Sequence, residues 1–140
     1  MHFETSTTIN AAPERVWAVL TDVVHWPDWT PTVLSVDWVE GDFTTGGVAR
    51  IKQPGMPTLD WTITEIAPGG SFTWTSRSAG VTTVATHRLV PTDGGVAVTL
   101  GIEHSGALAG MVGRLTGRRT QRYITTEAAG LKQRCEAAPA

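Results

Sequence analysis

Chemistry in this chain has few places to reside. Its 140 residues include four histidines and a single cysteine, Cys135. No glycine-rich phosphate loop, serine-nucleophile motif or Cys/His pairing is present, so nucleotide binding and covalent catalysis have no support. The residue best placed for catalysis is His87, in the strand-like run 81–90, where it shares its parity with Ala85 and Leu89. A histidine held among apolar groups can transfer a proton near working pH or orient a ligand carbonyl. It can also simply be a core residue bonded to a neighbour. His104 has the same inward parity one strand later. About four residues along the ladder, roughly 13 Å, separate the two, too far to share a metal whose bonds to nitrogen are about 2.0–2.1 Å. Neither a metal nor another cofactor is expected. Trp17, Trp61 and Trp74 offer flat apolar faces for a ligand, and Gln121 and Tyr123 offer polar groups from the C-terminal segment. Arg50 and Asp60 would suit an oxyanion partner and an acid, but strand parity puts Asp60 outside.

These side chains must be positioned by strands. Residues 2–9 alternate, with Phe3, Thr5, Thr7 and Ile9 on one side, and the segments 33–40, 47–53, 58–66, 71–78, 81–90 and 95–104 read as strands between Gly, Pro and Asp punctuation. Asp93-Gly94 suits a two-residue type I′ hairpin. With that loop, His87 faces Leu100, Ala85 faces Ile102 and Thr83 faces His104. A two-residue loop at Ala79-Gly80 then sets Trp74 opposite Ala85 and Phe72 opposite His87 on the same face. A two-residue turn within Pro68-Gly69-Gly70 extends the face to Trp61 and Ile63, whereas a three-residue loop there would flip them.

Between the first and second strands, Pro13 presets the first turn of a helix, Glu14 suits its positive end, and Val16, Trp17, Val19, Leu20 and Val23 form an apolar face. Asp22 is placed to cap a second short helix, which Pro27 keeps from continuing regularly, with Trp26 and Trp29 bracing a corner at the cavity mouth. From Ala107 the chain reads helical for about 30 residues, with Gly113, Gly117, Thr120, Gln121, Ile124, Ala128, Leu131 and Cys135 on one stripe. If that stripe meets the sheet, Ile124 and Leu131 seal the core and the glycine half leaves unfilled volume, so the helix roofs a pocket. Leu108, Met111, Val112 and Leu115 then point away, which implies a kink at Gly117, an exposed patch or another rotation.

The length fits one domain spanning 1–140 that buries about 70% of its unfolded surface. A formal charge of −2 supplies no field for nucleic acid, so that partner is excluded. Six Trp among 41% hydrophobic residues imply a bulky core or a lined cavity. The start MHFETSTT has no leader pattern, no run approaches membrane-spanning length, and the lone cysteine suits a reducing compartment. A cytoplasmic location is expected, with the oligomeric state open.

Ala12, Pro13, Val16, Trp17, Leu20 and Asp22 form the pattern A-P-x-x-V-W-x-x-L-x-D, followed by W-P-x-W at Trp26, Pro27 and Trp29. With K-Q-P-G-x-P at Lys52–Pro57, W-T-x-T-E at Trp61–Glu65, F-T-W at Phe72–Trp74, A-x-H at Ala85–His87 and E-A-A-G-L-K at Glu127–Lys132, the whole chain resembles the polyketide cyclase/dehydrase and lipid-transport group of START/Bet v1-like proteins, often called SRPBCC. The resemblance implies an α+β helix-grip fold: a seven-stranded curved antiparallel sheet, two short helices after the first strand and a long C-terminal helix. It also implies an apolar cavity between sheet and helix, without a shared catalytic set; the iron triad of some distant relatives is not recognisable here.

The expected function is therefore binding of a small hydrophobic molecule, lipid or polyketide-like. Its contacts would be Trp17, Trp61, Ile63, Phe72, Trp74, Ala85, His87, Leu100, Ile102, His104, Gln121, Tyr123 and Ile124. An alternative is a metal-free cyclase, aromatase or dehydratase in which His87, helped by Gln121 or Tyr123, moves a proton. A third is a protein-interaction module with a filled core and an exposed Leu108/Met111/Leu115 patch. Arg114, Arg118, Arg119 and Arg122 beside that patch also allow membrane contact, although such clusters are most often solvated surface.

Overall fold

Strand β1 (His2–Ile9) pairs with the last strand of the chain rather than the next one. In the computed structural model, which describes residues 1–137, β2 (Ser35–Glu40), β3 (Val48–Lys52), β4 (Leu59–Ala67), β5 (Ser71–Ser78), β6 (Val81–Thr92) and β7 (Gly95–Ser105) follow as antiparallel neighbours. The sheet order is β1-β7-β6-β5-β4-β3-β2. Helix α1 (Pro13–Thr21) and a 3-10 helix (Val23–Asp28) fill the connection after β1, and α2 (Ala109–Glu136) packs along β1 and β7. This is the α+β helix-grip architecture that the sequence motifs imply.

The register deduced for β5, β6 and β7 is the observed one: Phe72 faces His87, Trp74 faces Ala85, His87 faces Leu100 and Thr83 faces His104. The turns differ from expectation. The left-handed backbone pair that a type I′ hairpin requires lies at Ala79 (φ 49°) and Gly80 (φ 80°), whereas neither Asp93 nor Gly94 has positive φ. The β4–β5 loop has three residues, with Ala67 opposite Ser71, which alone would turn Trp61 and Ile63 outward. A β-bulge between Ile63 and Glu65 inserts one residue and restores them. Trp61 and Ile63 are accordingly buried. The two irregularities cancel.

Pro13 does open α1, which buries Val16 and Leu20 completely. Asp22 does not cap the 3-10 helix through its side chain; its carboxylate pairs instead with His25 Nδ1 at 2.8 Å. The glycine half of α2 leaves no void. A Cβ at Gly113 would collide with Met1 Sδ, and one at Gly117 would lie 3.2 Å from the Phe3 ring, so Met1 and the start of β1 fill the space that the missing side chains create. The exposed-patch option is the one adopted, with Leu108, Met111 and Leu115 facing solvent.

The C-terminal end of α2 is clamped on three sides. Lys132 Nζ donates to Thr8 O at 2.6 Å, the backbone N–H of Asn10 donates to Glu136 Oε2 at 2.7 Å, and Arg15 Nε donates to Cys135 O at 2.8 Å, pairing one of the terminal carbonyls that a helix leaves free. Gly130 lets the helix rest on the tryptophan corner, because a Cβ there would collide with Trp29 O. An exposed helical Gly→Ala change usually gains about 1 kcal/mol. We expect Gly130→Ala to lose roughly 1–3 kcal/mol instead, because a backbone carbonyl must move. Urea unfolding of the two proteins measures the sign.

Candidate ligand cavity

Between the sheet and the middle of α2 lies a cavity of about 110 Å³. Its floor is the inner face fixed by strand parity, including Trp61, Trp74, Ala85, His87, Leu100, Ile102 and His104. Its roof is α2 from Arg119 through Tyr123 and Ile124 to Glu127. Trp26 closes one flank, with its ring 5.3 Å from that of Trp74 and 5.8 Å from that of His87. The indole N–H of Trp26 donates to Leu20 O at 2.9 Å, so the corner is held by the end of α1. Trp26 therefore forms a cavity wall, while Trp29 braces the corner behind it, 5.7 Å from Trp26.

Four of the expected contact residues lie elsewhere. Trp17 makes edge contacts with Phe43 and Phe72 on the other side of the aromatic cluster. Phe72 is fully buried behind His87, and Ile63 is enclosed in the core beside the bulge. The Gln121 amide turns toward β1 and donates to Glu4 O at 3.0 Å. None of these four lines the cavity. Arg50 and Asp60 form a two-pronged ion pair on the exposed face, 2.9 and 3.2 Å, where parity puts them.

His87 is held on two sides. Its Nδ1 lies 3.1 Å from Phe72 O, and its ring stacks on the Phe72 ring at 4.0 Å and 7°. A carbonyl only accepts, so Nδ1 carries the proton and Nε2 keeps a free lone pair. Burial disfavours the imidazolium and pulls the pKa from 6.5 down to about 4, only partly offset by the carbonyl. His87 is thus a fixed, neutral hydrogen-bond acceptor. His104 is held through Nδ1 by Thr83 Oγ1 at 3.0 Å, and its buried Nε2 has no protein partner among the described residues. Burial and the N-terminal ammonium both lower its pKa.

Glu127 heads the E-A-A-G-L-K motif, but the sequence reading gives it no role, and among the described residues it is the one ionisable carboxyl that lines the cavity. Its carboxyl is buried against the cavity, and desolvation alone raises its pKa from 4.5 to about 7. The signal lies in the helical spacing: Glu127 is three residues after Ile124 and four before Leu131, on the inward stripe. A carboxyl between two core residues is a group with work to do or a cost to bear. Cys135 is also buried, but burial pushes its thiol up to about 11, which leaves it unreactive.

The segment joining β3 to β4 lies against the cavity and is tied to α2. Tyr123 Oη donates to Pro54 O at 2.6 Å, Arg119 Nη1 donates to Gly55 O at 2.9 Å, and Gln53 Nε2 donates to Thr32 O at 3.1 Å, while Met56 reaches the cavity. Tyr123 and Arg119 thus act on a strap rather than only on cavity contents. Among the described residues, no cluster of three or more His, Cys, Asp or Glu is arranged to hold a metal ion. No helix among them is long and apolar enough to cross a membrane.

A family model described as polyketide cyclase / dehydrase and lipid transport matches residues 1–136. No curated protein matches the sequence. Among solved structures, a protein of Thermus thermophilus superposes with TM-score 0.80 at 19% identity, covering all of both chains. Truncated norcoclaurine synthase from Thalictrum flavum gives TM-score 0.77 at 15% identity over 99% of this chain and 95% of its own. The di-domain ARO/CYC StfQ of the steffimycin biosynthetic pathway gives 0.78 at 13% identity over 96% of this chain and 50% of its own. At these identities the likeness is one of fold.

Proposed function

Because this chain belongs to the polyketide cyclase/dehydrase and lipid-transport family, we propose that it binds a small, largely apolar, ring-bearing molecule between the sheet and α2. The observation that carries this reading is an apolar cavity walled by Trp26, Trp61 and Trp74 into which two buried polar groups, His87 and Glu127, present complementary hydrogen-bonding capacity. His87 Nε2 accepts; a protonated Glu127 donates. A neutral compound carrying a hydroxyl and a carbonyl satisfies both, whereas a purely hydrocarbon ligand leaves both unpaired at a cost. A cavity of about 110 Å³ is of the order that admits a single small ring, and larger polycyclic compounds need the 53–58 strap to lift.

The test is native mass spectrometry of the protein from its own host, followed by extraction of whatever dissociates. A defined organic adduct supports the reading. Absence of an adduct together with no uptake of phenolic ketones in titration contradicts it.

A second reading, proton-transfer catalysis of the cyclase or dehydratase type, is favoured by one observation: two titratable groups facing one cavity have pKa values moved in opposite directions, to about 4 and about 7. A base as weak as His87 takes a proton poorly, and Glu127 is nearer the optimum for transfer at neutral pH. If the protein is an enzyme, Glu127→Gln should reduce kcat on the order of 100-fold or more, and His87→Gln should act mainly on KM. In a binding protein, His87→Gln changes affinity by about tenfold at most, the worth of one hydrogen bond, and there is no turnover to lose. Turnover assays beside titration separate the two.

A further inference from the structure

The outward face of α2 has a composition that neither core packing nor ligand binding explains. Leu108, Met111, Leu115, Arg118 and Arg122 follow one another at spacings of three and four, so they form a single ridge, with Arg114 beside it. The ridge is opposite the stripe that carries Gly113, Ile124 and Leu131. Leu108, just before α2, is 41% exposed and packs in part over Gly80, whereas Met111 and Leu115 are 53% and 78% exposed. From His104 to Thr126 the sequence contains Arg114, Arg118, Arg119 and Arg122 and no acidic residue. Arg119 is engaged with the strap. Arg114, Arg118 and Arg122 meet no carboxylate in any ion pair among the described residues. The start of α2 has neither a capping side chain nor an acidic residue in its first turn, so nothing offsets this positive charge near the positive end of the helix dipole.

We propose that this ridge docks on an anionic phospholipid bilayer, with Met111 and Leu115 entering the headgroup boundary, Leu108 at its edge, and Arg114, Arg118 and Arg122 on the phosphates. The pattern is that of an interfacial amphipathic helix, exposed apolar side chains flanked by guanidinium groups. A second copy is a poorer occupant. A two-fold contact through this ridge sets the same unpaired arginines against one another, because such an interface is self-complementary. A protein partner would be expected to use a concave anchor pocket, which the back of a helix lacks. Arg119, next to the ridge residue Arg118 in sequence, is turned instead to the β3–β4 segment, where its guanidinium holds Gly55 O. The proposal goes beyond the ligand-binding reading and stands without it.

The experiment is co-sedimentation of the full chain with vesicles of phosphatidylcholine alone and of equal parts phosphatidylcholine and phosphatidylglycerol, at low and at high salt. We expect binding to the anionic vesicles only, lost as salt screens the arginines. Replacing Arg114, Arg118 and Arg122 together with Gln should weaken it on the order of 100-fold, at roughly fivefold per residue. Leu115→Asp, at a site too exposed to disturb folding, should weaken it at least about tenfold. Circular dichroism of each variant confirms that the fold is retained. Absence of binding to anionic vesicles overturns the proposal. So does binding that neither set of variants changes, or self-association that Leu115→Asp abolishes in a protein that ignores vesicles.

Discussion

Glu127→Gln should make the protein more stable than the wild type above pH 7, by on the order of 3 kcal/mol, and should expose a pH dependence that the wild type conceals. In the unfolded chain this carboxyl ionises above about 4.5, whereas in the folded protein it keeps its proton up to about 7. The native state therefore holds more protons through that window, so stability falls as pH rises across it and stays lost above it. His87 works from the other side. The unfolded chain takes up its proton below 6.5 and the folded protein only below about 4, so stability falls as pH drops through that window and stays lost below it. From about pH 4.5 to 6.5 these two slopes oppose each other at about 1.4 kcal/mol per pH unit each and cancel one another, leaving the wild type the contributions of its other groups, His104 among them. Glu127→Gln leaves the histidine alone, so its stability should climb from pH 4 to 6.5. His87→Gln should differ in the opposite sense, its stability falling relative to the wild type from about pH 4 to 6.5. Urea unfolding at unit steps of pH measures all three profiles. A Glu127→Gln profile parallel to the wild type would mean that the carboxyl is solvated rather than buried.

Ala85→Leu is the second large effect, and it falls on binding rather than folding. Ala85 lies between Trp74 on β5 and Ile102 on β7, with its methyl at the cavity floor. The larger side chain occupies space that a ligand ring would need. Affinity should fall on the order of 100-fold, while stability changes by no more than about 1–3 kcal/mol, because the new side chain meets a void rather than a packed wall. Isothermal titration with a bound compound, beside urea unfolding of the same samples, reads both quantities.

Most of the scaffold is legible in the sequence because strand parity and loop length are local. Ala79-Gly80 and Asp93-Gly94 set the inner face of β5, β6 and β7 even though the turn at Asp93-Gly94 is not the type its sequence suggests, since register depends on the number of loop residues and not on their φ angles. For β4 the expected face is reached by a different route, a longer loop offset by a bulge at residues that carry no bulge signature. Long-range events are not legible. That Met1 and Phe3 occupy the space over Gly113 and Gly117 depends on where β1 lies relative to α2, which helical spacing does not encode. The same holds for Gln121, drawn to the edge strand, and for Tyr123, whose hydroxyl serves the strap. Within the site, parity places His87 correctly on the inner face, but its neutral, donor-fixed state depends on the Phe72 carbonyl and stacked ring. Glu127 is findable from its place between Ile124 and Leu131. It heads a recognisable motif yet receives no role from the sequence, because a charged residue on a core stripe reads as an error of rotation until its burial is known.

The central claim is that the space beneath α2 holds a molecule, and the most direct test compares wild type and Ala85→Leu, produced side by side in the same cells, by native mass spectrometry under gentle desolvation. The predicted result is an organic adduct of defined mass on the wild type that is absent from the variant, with both proteins folded. An adduct carried equally by both would place the ligand elsewhere and contradict the claim. So would an adduct-free wild type that, like the variant, takes up no small phenolic ketone on titration.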